Sequence, residues 1–142
     1  MDQESMDFWQ QHSIKFLEMA LTADRREVLK NPDGYGKRTR ECGDTIELFL
    51  TVRGGRIVNA CFETNGCIYS VACANAVIRL VEGKSIQEAW TVTPEMIADY
   101  LETLPGKEFH CAQLAVQALF LALANCQQNE RNPWKKFYQT YE

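Results

Sequence analysis

The period of apolar positions changes along this chain, and each change marks an element. Over residues 5–29 apolar side chains recur at helical spacing. Trp9, Phe16 and Met19, with Ile14, Leu17 and Leu21 beside them, predict an amphipathic helix with Ser5 as its candidate cap. Asn31-Pro32-Asp33-Gly34-Tyr35-Gly36 predicts the end of that helix and a turn, leaving room for a short strand before Cys42. From Thr45 to Arg53 the period falls to two, with Ile46, Leu48, Leu50 and Val52 on one face. Arg53-Gly54-Gly55-Arg56 predicts a hairpin turn. Ile57 to Thr64 then reads as the return strand, with Val58, Ala60 and Phe62 facing inward.

Beyond the hairpin the pattern is helical. Ser70 to Glu82 is rich in alanine, valine and leucine, and Gly83 ends it. Ser85-Ile86-Gln87-Glu88 has capping-box spacing. Thr93 followed by Pro94 predicts a cap with proline at the first helical position. Leu104-Pro105-Gly106 breaks the chain ahead of an apolar helix from Ala112 to Cys126. The order of helix, antiparallel strands and helices predicts an α+β domain, a small antiparallel sheet of about three strands with helices packed on it. The second face of the long strands is not uniformly polar. Phe49, Ile57 and Cys61 lie there beside Glu47, Thr51, Asn59 and Glu63, unlike an ordinary solvated sheet face. One of the aromatic ends is expected to cover it, either Phe8 and Trp9 or Trp134, Phe137, Tyr138 and Tyr141, within one chain or across a homodimer.

At 142 residues the chain is most simply one domain, with enough buried surface for a core that stands without staples. A formal net charge of −4 and a pI near 5.3 argue against nucleic acid, which needs clustered lysine and arginine. The longest basic cluster, Lys37-Arg38-Thr39-Arg40, is short. Met1-Asp2-Gln3-Glu4 is acidic with no apolar stretch behind it, so no export signal and no membrane span are expected. Six cysteines in such a chain predict reduced thiols and a cytoplasmic setting.

The chemistry lies in a sparse set of metal-seeking side chains. Cys42 and Asp44 share the segment Glu41-Cys42-Gly43-Asp44, Cys67 follows Asn65-Gly66, and His110 adjoins Cys111. Thiolates and imidazole suit zinc and iron, while a carboxylate is a harder, weaker partner for both. All three places are predicted element ends, where loops converge and carry function. Cys67 and Cys111 near helix N-termini are expected to favour the thiolate. Taken singly, each cysteine is more simply a small buried hydrophobe, and the conjunction is what points to a site. Cys73 and Cys126 fall inside apolar helices and read as core residues, and His12 as a surface or packing residue. No P-loop, dinucleotide fingerprint, zinc-protease or serine-hydrolase motif is present.

These residues resemble the IscU/NifU-type iron–sulfur cluster scaffold family. The matching stretches are Asn31-Pro32 with Gly36, Cys42-Gly43-Asp44, Phe62 to Cys67, Gly83-Lys84-Ser85 with Glu88-Ala89, and Leu104-Pro105 leading to His110-Cys111. They cover about residues 24–127, with an N-terminal helical extension over 1–23 and an aromatic tail over 128–142. The resemblance implies a SufE/NifU-like fold and a ligand set of Cys42, Asp44, Cys67, His110 and Cys111. It implies a carrier rather than an enzyme. Sulfur would come from a cysteine desulfurase and iron from a donor, and a labile [2Fe–2S] cluster would pass to apo-proteins. Zn²⁺ would occupy the cluster-free form.

The chain also departs from that pattern. Leu104-Pro105-Gly106-Lys107-Glu108-Phe109 stands where the IscU branch has Leu-Pro-Pro-Val-Lys before its His-Cys, which removes the ground for expecting a dedicated Hsp70-type chaperone. Ile68-Tyr69 follows Cys67 where small residues are usual. A SufU-like zinc-dependent sulfur acceptor is the alternative, with persulfide on Cys67 or Cys111. His110, and the absence of an insertion before Cys111, favour the scaffold.

Overall fold

The computed structural model describes residues 12–41 and 43–132. Helix α1 (Ile14–Leu21) opens the described chain, followed by strands β1 (Gly34–Thr39), β2 (Thr45–Arg53) and β3 (Arg56–Thr64). Helices α2 (Ile68–Val81), α3 (Ile86–Ala89) and α4 (Pro94–Leu101) come next. A 3₁₀ turn (Gly106–Glu108) then leads into the long helix α5 (Phe109–Arg131). The sheet is antiparallel in the order β1-β2-β3. The α+β architecture expected from the pattern is the one observed.

The predicted first helix is shorter than its apolar pattern suggested. Ser13 caps α1 by accepting the Phe16 N–H at 3.0 Å, and Ser5 lies outside the described residues. Phe16, Met19 and Ala20 are buried, whereas Ile14 and Leu21 are exposed. At about 100° per residue, Ile14 and Leu21 fall together on the side opposite Phe16, so the expected broad stripe splits into two faces. The helix stops at Leu21 because Asn75 on α2 claims its end. The Asn75 amide donates to the Met19 and Thr22 carbonyls at 2.8 and 2.9 Å. The chain then runs along the free edge of β3. Arg26 forms a parallel bridge with Phe62, the Phe62 N–H donates to Arg25 and the Glu27 N–H donates to Phe62.

The short strand expected before Cys42 is present as β1, and it takes in Gly34, Tyr35 and Gly36, the second half of the stretch expected as a turn. The turn occurs at Asn31, whose φ is 55°, and β1 begins at Gly34. Gly34 and Gly36 serve a close approach instead. A Cβ on Gly34 would lie 2.5 Å from the Ala122 carbonyl oxygen, and one on Gly36 would overlap the Ala118 carbonyl and the Ala122 N–H. Helix α5 therefore lies directly on β1. Its Ala115, Ala118, Leu119, Ala122 and Leu123 share one core with Ile46, Leu48, Leu50, Ala60 and Phe62 of the sheet. By length and composition alone α5 is apolar enough to cross a membrane, yet its apolar side is packed on the sheet.

The register between β2 and β3 shifts at Thr51 and Val52. Val52 pairs with Ile57 and Thr51 with Asn59, which leaves Val58 as the bulged residue. This reverses the expected facing at that end of β3: Ile57 is fully buried in the core and Val58 is half exposed. The Asp33 carboxylate steadies the bulge by accepting the Val52 N–H at 2.8 Å. On the second face Phe49 and Cys61 are buried, as cross-strand partners, with the Tyr35 ring 5.2 Å from that of Phe49. The expected cover from Phe8 and Trp9 or from Trp134, Phe137, Tyr138 and Tyr141 lies outside the described residues. Helix α1 packs elsewhere, on α2 and α4, with its Ser13 hydroxyl donating to the Leu101 carbonyl at 3.0 Å.

Candidate metal centre

Three element ends converge at one edge of the domain. The β1–β2 connection is a tight turn in which the Arg40 N–H donates to the Asp44 carbonyl at 2.8 Å and the Gly43 N–H donates to the Arg40 carbonyl. Gly43 has φ of 98°, a left-handed conformation that favours glycine. Cys42 lies outside the described residues. Asn65 ties this turn to the next segment. Its side-chain oxygen accepts the Thr45 N–H at 2.8 Å and its amide donates to the Gly43 carbonyl at 3.2 Å.

Cys67 follows directly, as the exposed N-cap residue of α2. A Cβ on Gly66 would come within 2.5 Å of the Ser70 hydroxyl, so only glycine lets the chain pass Ser70 here. Ser70 is fully buried in the first turn of α2 and its hydroxyl donates to Cys111 Sγ at 3.7 Å. Cys111 lies in the first turn of α5 and is buried. Ile68-Tyr69 does not close over Cys67. The Tyr69 ring turns toward α1, 5.5 Å from the Phe16 ring, and Ile68 remains partly exposed.

Among the described residues, the ligand atoms of Cys67, Glu108 and Cys111 lie within 4.8 Å of one another. Glu108 was not among the sequence candidates. It ends the 3₁₀ turn at the mouth of α5, and its Oε2 lies 3.8 Å from Cys111 Sγ and 3.6 Å from His110 Nε2. The available signal was its spacing, because residues three apart share a helix face and Glu108-x-x-Cys111 faces one way. Asp44 lies outside that trio, with Oδ2 at 3.9 Å from Arg40 Nη1. His110 is half-buried beside Glu108.

The helix N-terminus does not decide the state of Cys111. Burial pushes its thiol up to about 12, the Ser70 hydrogen bond and Arg40 oppose this, and the neighbouring Cys67 and Glu108 reinforce it. Desolvation thus works against the thiolate that the helix N-terminus was expected to favour. Cys73 is fully buried, and burial likewise holds it well above the ordinary thiol range, with Cys111 and Cys67 adding to the effect. Cys126 is a buried residue of α5, as its apolar surroundings predicted.

Two thiols and a carboxylate in reach of one another form a donor set for a borderline divalent metal such as zinc or ferrous iron. One thiol is open to an incoming reactant and the other is enclosed. That asymmetry allows sulfur or metal to enter at Cys67 while Cys111 anchors the site.

The family profile described as NifU-like N terminal domain matches residues 26–132. The iron-sulfur cluster assembly scaffold protein IscU 1 of Archaeoglobus fulgidus is 32% identical over 98 residues, which are 68% of this chain and 64% of that protein. The chain thus aligns with just under two thirds of that relative's length. The N-terminal domain of a nitrogen-fixing NifU-like protein from Brucella abortus superposes with a TM-score of 0.67 at 18% identity, covering 82% of this chain and 94% of that one. FiSufU from thermophilic Fervidobacterium islandicum, described with the SUF system, gives 0.66 at 20% identity, covering 80% and 97%. At these identities the two structures establish a shared fold.

Proposed function

The chain belongs to the NifU-like N terminal domain family, and from that premise we propose that it is an iron–sulfur cluster assembly scaffold, a carrier rather than an enzyme. It accepts sulfur from a cysteine desulfurase and iron from a donor, builds a labile [2Fe–2S] cluster and passes it to apo-proteins. Cys42, Cys67 and Cys111 supply the thiolates, and Asp44 and His110 are the non-thiolate members of the ligand set that the resemblance implies. The observation that carries the reading is the exposed Cys67 within 4.8 Å of the buried Cys111, at the junction of α2 and α5. An exposed thiol within the donor set leaves the site open to an incoming partner.

Sulfur arrival follows ordinary thiol exchange. The Cys67 thiolate attacks the outer sulfur of the desulfurase persulfide and a new S–S bond forms on Cys67. The old S–S bond breaks, and the desulfurase thiolate leaves and takes up a proton. An external dithiol then supplies two electrons: the S–S bond on Cys67 breaks, sulfide and the Cys67 thiol form, and the dithiol closes to a disulfide. The exposure of Cys67 also favours a second reading, a zinc-dependent sulfur acceptor of the SufU type in which transfer stops at the persulfide. Anaerobic incubation with ferrous iron and sulfide separates the two. The scaffold develops the visible absorption of a [2Fe–2S] centre in proportion to bound iron and sulfide. A sulfur acceptor retains zinc, develops no such absorption and takes labelled sulfur on Cys67.

A further inference from the structure

We propose that Glu108 is a ligand of this metal centre, supplying to zinc or ferrous iron the oxygen donor that the family pattern assigns to Asp44. The inference rests on the reading of the site as a metal centre and changes which side chains build it.

Position is the first ground. A Glu108 carboxylate oxygen lies within 4.8 Å of both Cys67 Sγ and Cys111 Sγ, a set that Asp44 does not join. In a tetrahedral site with bonds of about 2.0–2.3 Å, donors stand about 3.5–3.8 Å apart. The observed spacing therefore needs an inward movement of about 1 Å, within reach of a glutamate side chain and of an exposed cysteine.

The second ground is what the carboxylate leaves undone. Glu108 ends the 3₁₀ turn that runs into α5, so its side chain is not committed to capping the helix. It makes no capping hydrogen bond and turns its Oε2 to Cys111 Sγ at 3.8 Å. Its side chain is only 20% exposed, and among the described residues its one ion-pair partner is the His110 imidazole. A half-buried carboxylate facing two sulfur donors is an arrangement that a divalent cation completes, and no lysine or arginine of the described residues is paired with Glu108 to take that place.

The third ground is backbone placement. The 3₁₀ turn Gly106–Glu108 swings residue 108 under the mouth of α5, one helical turn before Cys111. A lysine at residue 108, the type expected from the IscU pattern, would put a positive charge among the donors. Glu108 reverses that sign and adds a hard donor beside two soft ones. Among the described residues the set is then two sulfurs and one oxygen.

The test uses the full chain and zinc or cobalt(II) alone. Zinc affinity is measured by competition with a chelator for the wild type, Glu108→Gln, Glu108→His and Asp44→Asn. Cobalt(II) is loaded into each and its visible ligand-field bands recorded, with circular dichroism of the metal-free forms as the folding check. Glu108→Gln is expected to weaken zinc binding at least about tenfold and to change the cobalt bands, because losing even an outer partner of a metal ligand costs about 10–100-fold. Glu108→His, which substitutes another donor, is expected to recover affinity with a third band pattern, and Asp44→Asn to resemble the wild type. Wild-type affinity and bands in Glu108→Gln would overturn the proposal. So would weaker binding with unchanged bands, which would make Glu108 a neighbour of the metal and not a ligand. A wild type that binds no metal would overturn the metal-centre reading itself, a result distinguishable from either of these.

Discussion

The backbone N–H of Thr45 donates to the side-chain oxygen of Asn65 at 2.8 Å, and the amide of Asn65 donates back to the Gly43 carbonyl at 3.2 Å. One side chain thereby fastens the turn between Arg40 and Asp44, in which the proposed ligand Cys42 falls in sequence, to the segment that carries Cys67. The link adds to the Thr64 hydroxyl, which donates to the Thr45 carbonyl at 2.6 Å, in joining the two strand ends. Asn65→Ala is expected to leave the fold intact, because the residue is exposed, and to weaken zinc binding about tenfold, the lower range for outer partners of a metal site. Competition titration checks this, and an unchanged affinity would show that the tie does not organise the site.

Thiol accessibility divides the cysteines. Cys67 is exposed, whereas Cys61, Cys73, Cys111 and Cys126 are buried. In the metal-free protein Cys67 is expected to alkylate before those four, and zinc is expected to protect it. Cys67→Ala and Cys111→Ala, with Cys42→Ala, should abolish most metal occupancy, while Cys73→Ala and Cys126→Ala should retain it. Peptide mass mapping and metal analysis give both results. Equal metal content in all five variants would remove these thiols from the site.

Metal affinity should rise with pH. The Cys111 thiol, pushed up to about 12 by burial, keeps its proton through the neutral range and must release it on ligation. One proton expelled per metal raises apparent affinity about tenfold per pH unit, and further thiol protons steepen the slope. Folding stability carries the opposite sign. An unfolded cysteine titrates near about 8.5, so the metal-free fold keeps this contribution below that pH and loses it as pH rises toward about 12. Zinc competition at pH 6, 7 and 8 reads the first effect, and a flat profile would contradict the protonated thiol.

The contact between α5 and β1 should be intolerant of a methyl group. Gly36→Ala would press a Cβ into the Ala118 carbonyl and the Ala122 N–H, both backbone groups of a packed helix. Overpacking of this kind costs up to about 3 kcal/mol, which denaturant titration would show as a lower midpoint. Because α5 also positions Cys111, the variant should bind metal less tightly in proportion to its lost stability. A midpoint equal to that of the wild type would mean that helix and strand separate freely.

Much of this architecture was legible because it depends on local pattern. The alternation from Ile46 to Val52, the Gly54-Gly55 hairpin, the Ser85 capping box and the Thr93-Pro94 start all appear where the residues placed them. Tertiary contacts decided what was not legible. Asn75 ended α1 from a helix more than fifty residues away, and α5 turned two apparent turn glycines into strand residues. A single bulge exchanged the roles of Ile57 and Val58. At the site, spacing and element ends brought Cys67 and Cys111 together. They did not show that Asp44 would stand apart from that pair. They also did not show that a glutamate in a segment otherwise read for chaperone binding would face the two thiols.

A scaffold of the kind proposed holds a cluster in order to give it away. The most direct measurement is anaerobic reconstitution with iron and sulfide, followed by transfer to an apo-ferredoxin monitored by its circular dichroism. The wild type should bind iron and sulfide in equal amounts, show [2Fe–2S] absorption and convert the apo-ferredoxin faster than free iron and sulfide do at the same concentrations. Cys67→Ala should lose both the absorption and the acceleration. A wild-type protein that keeps zinc, forms no chromophore and leaves the apo-ferredoxin no faster than the free ions would contradict the claim.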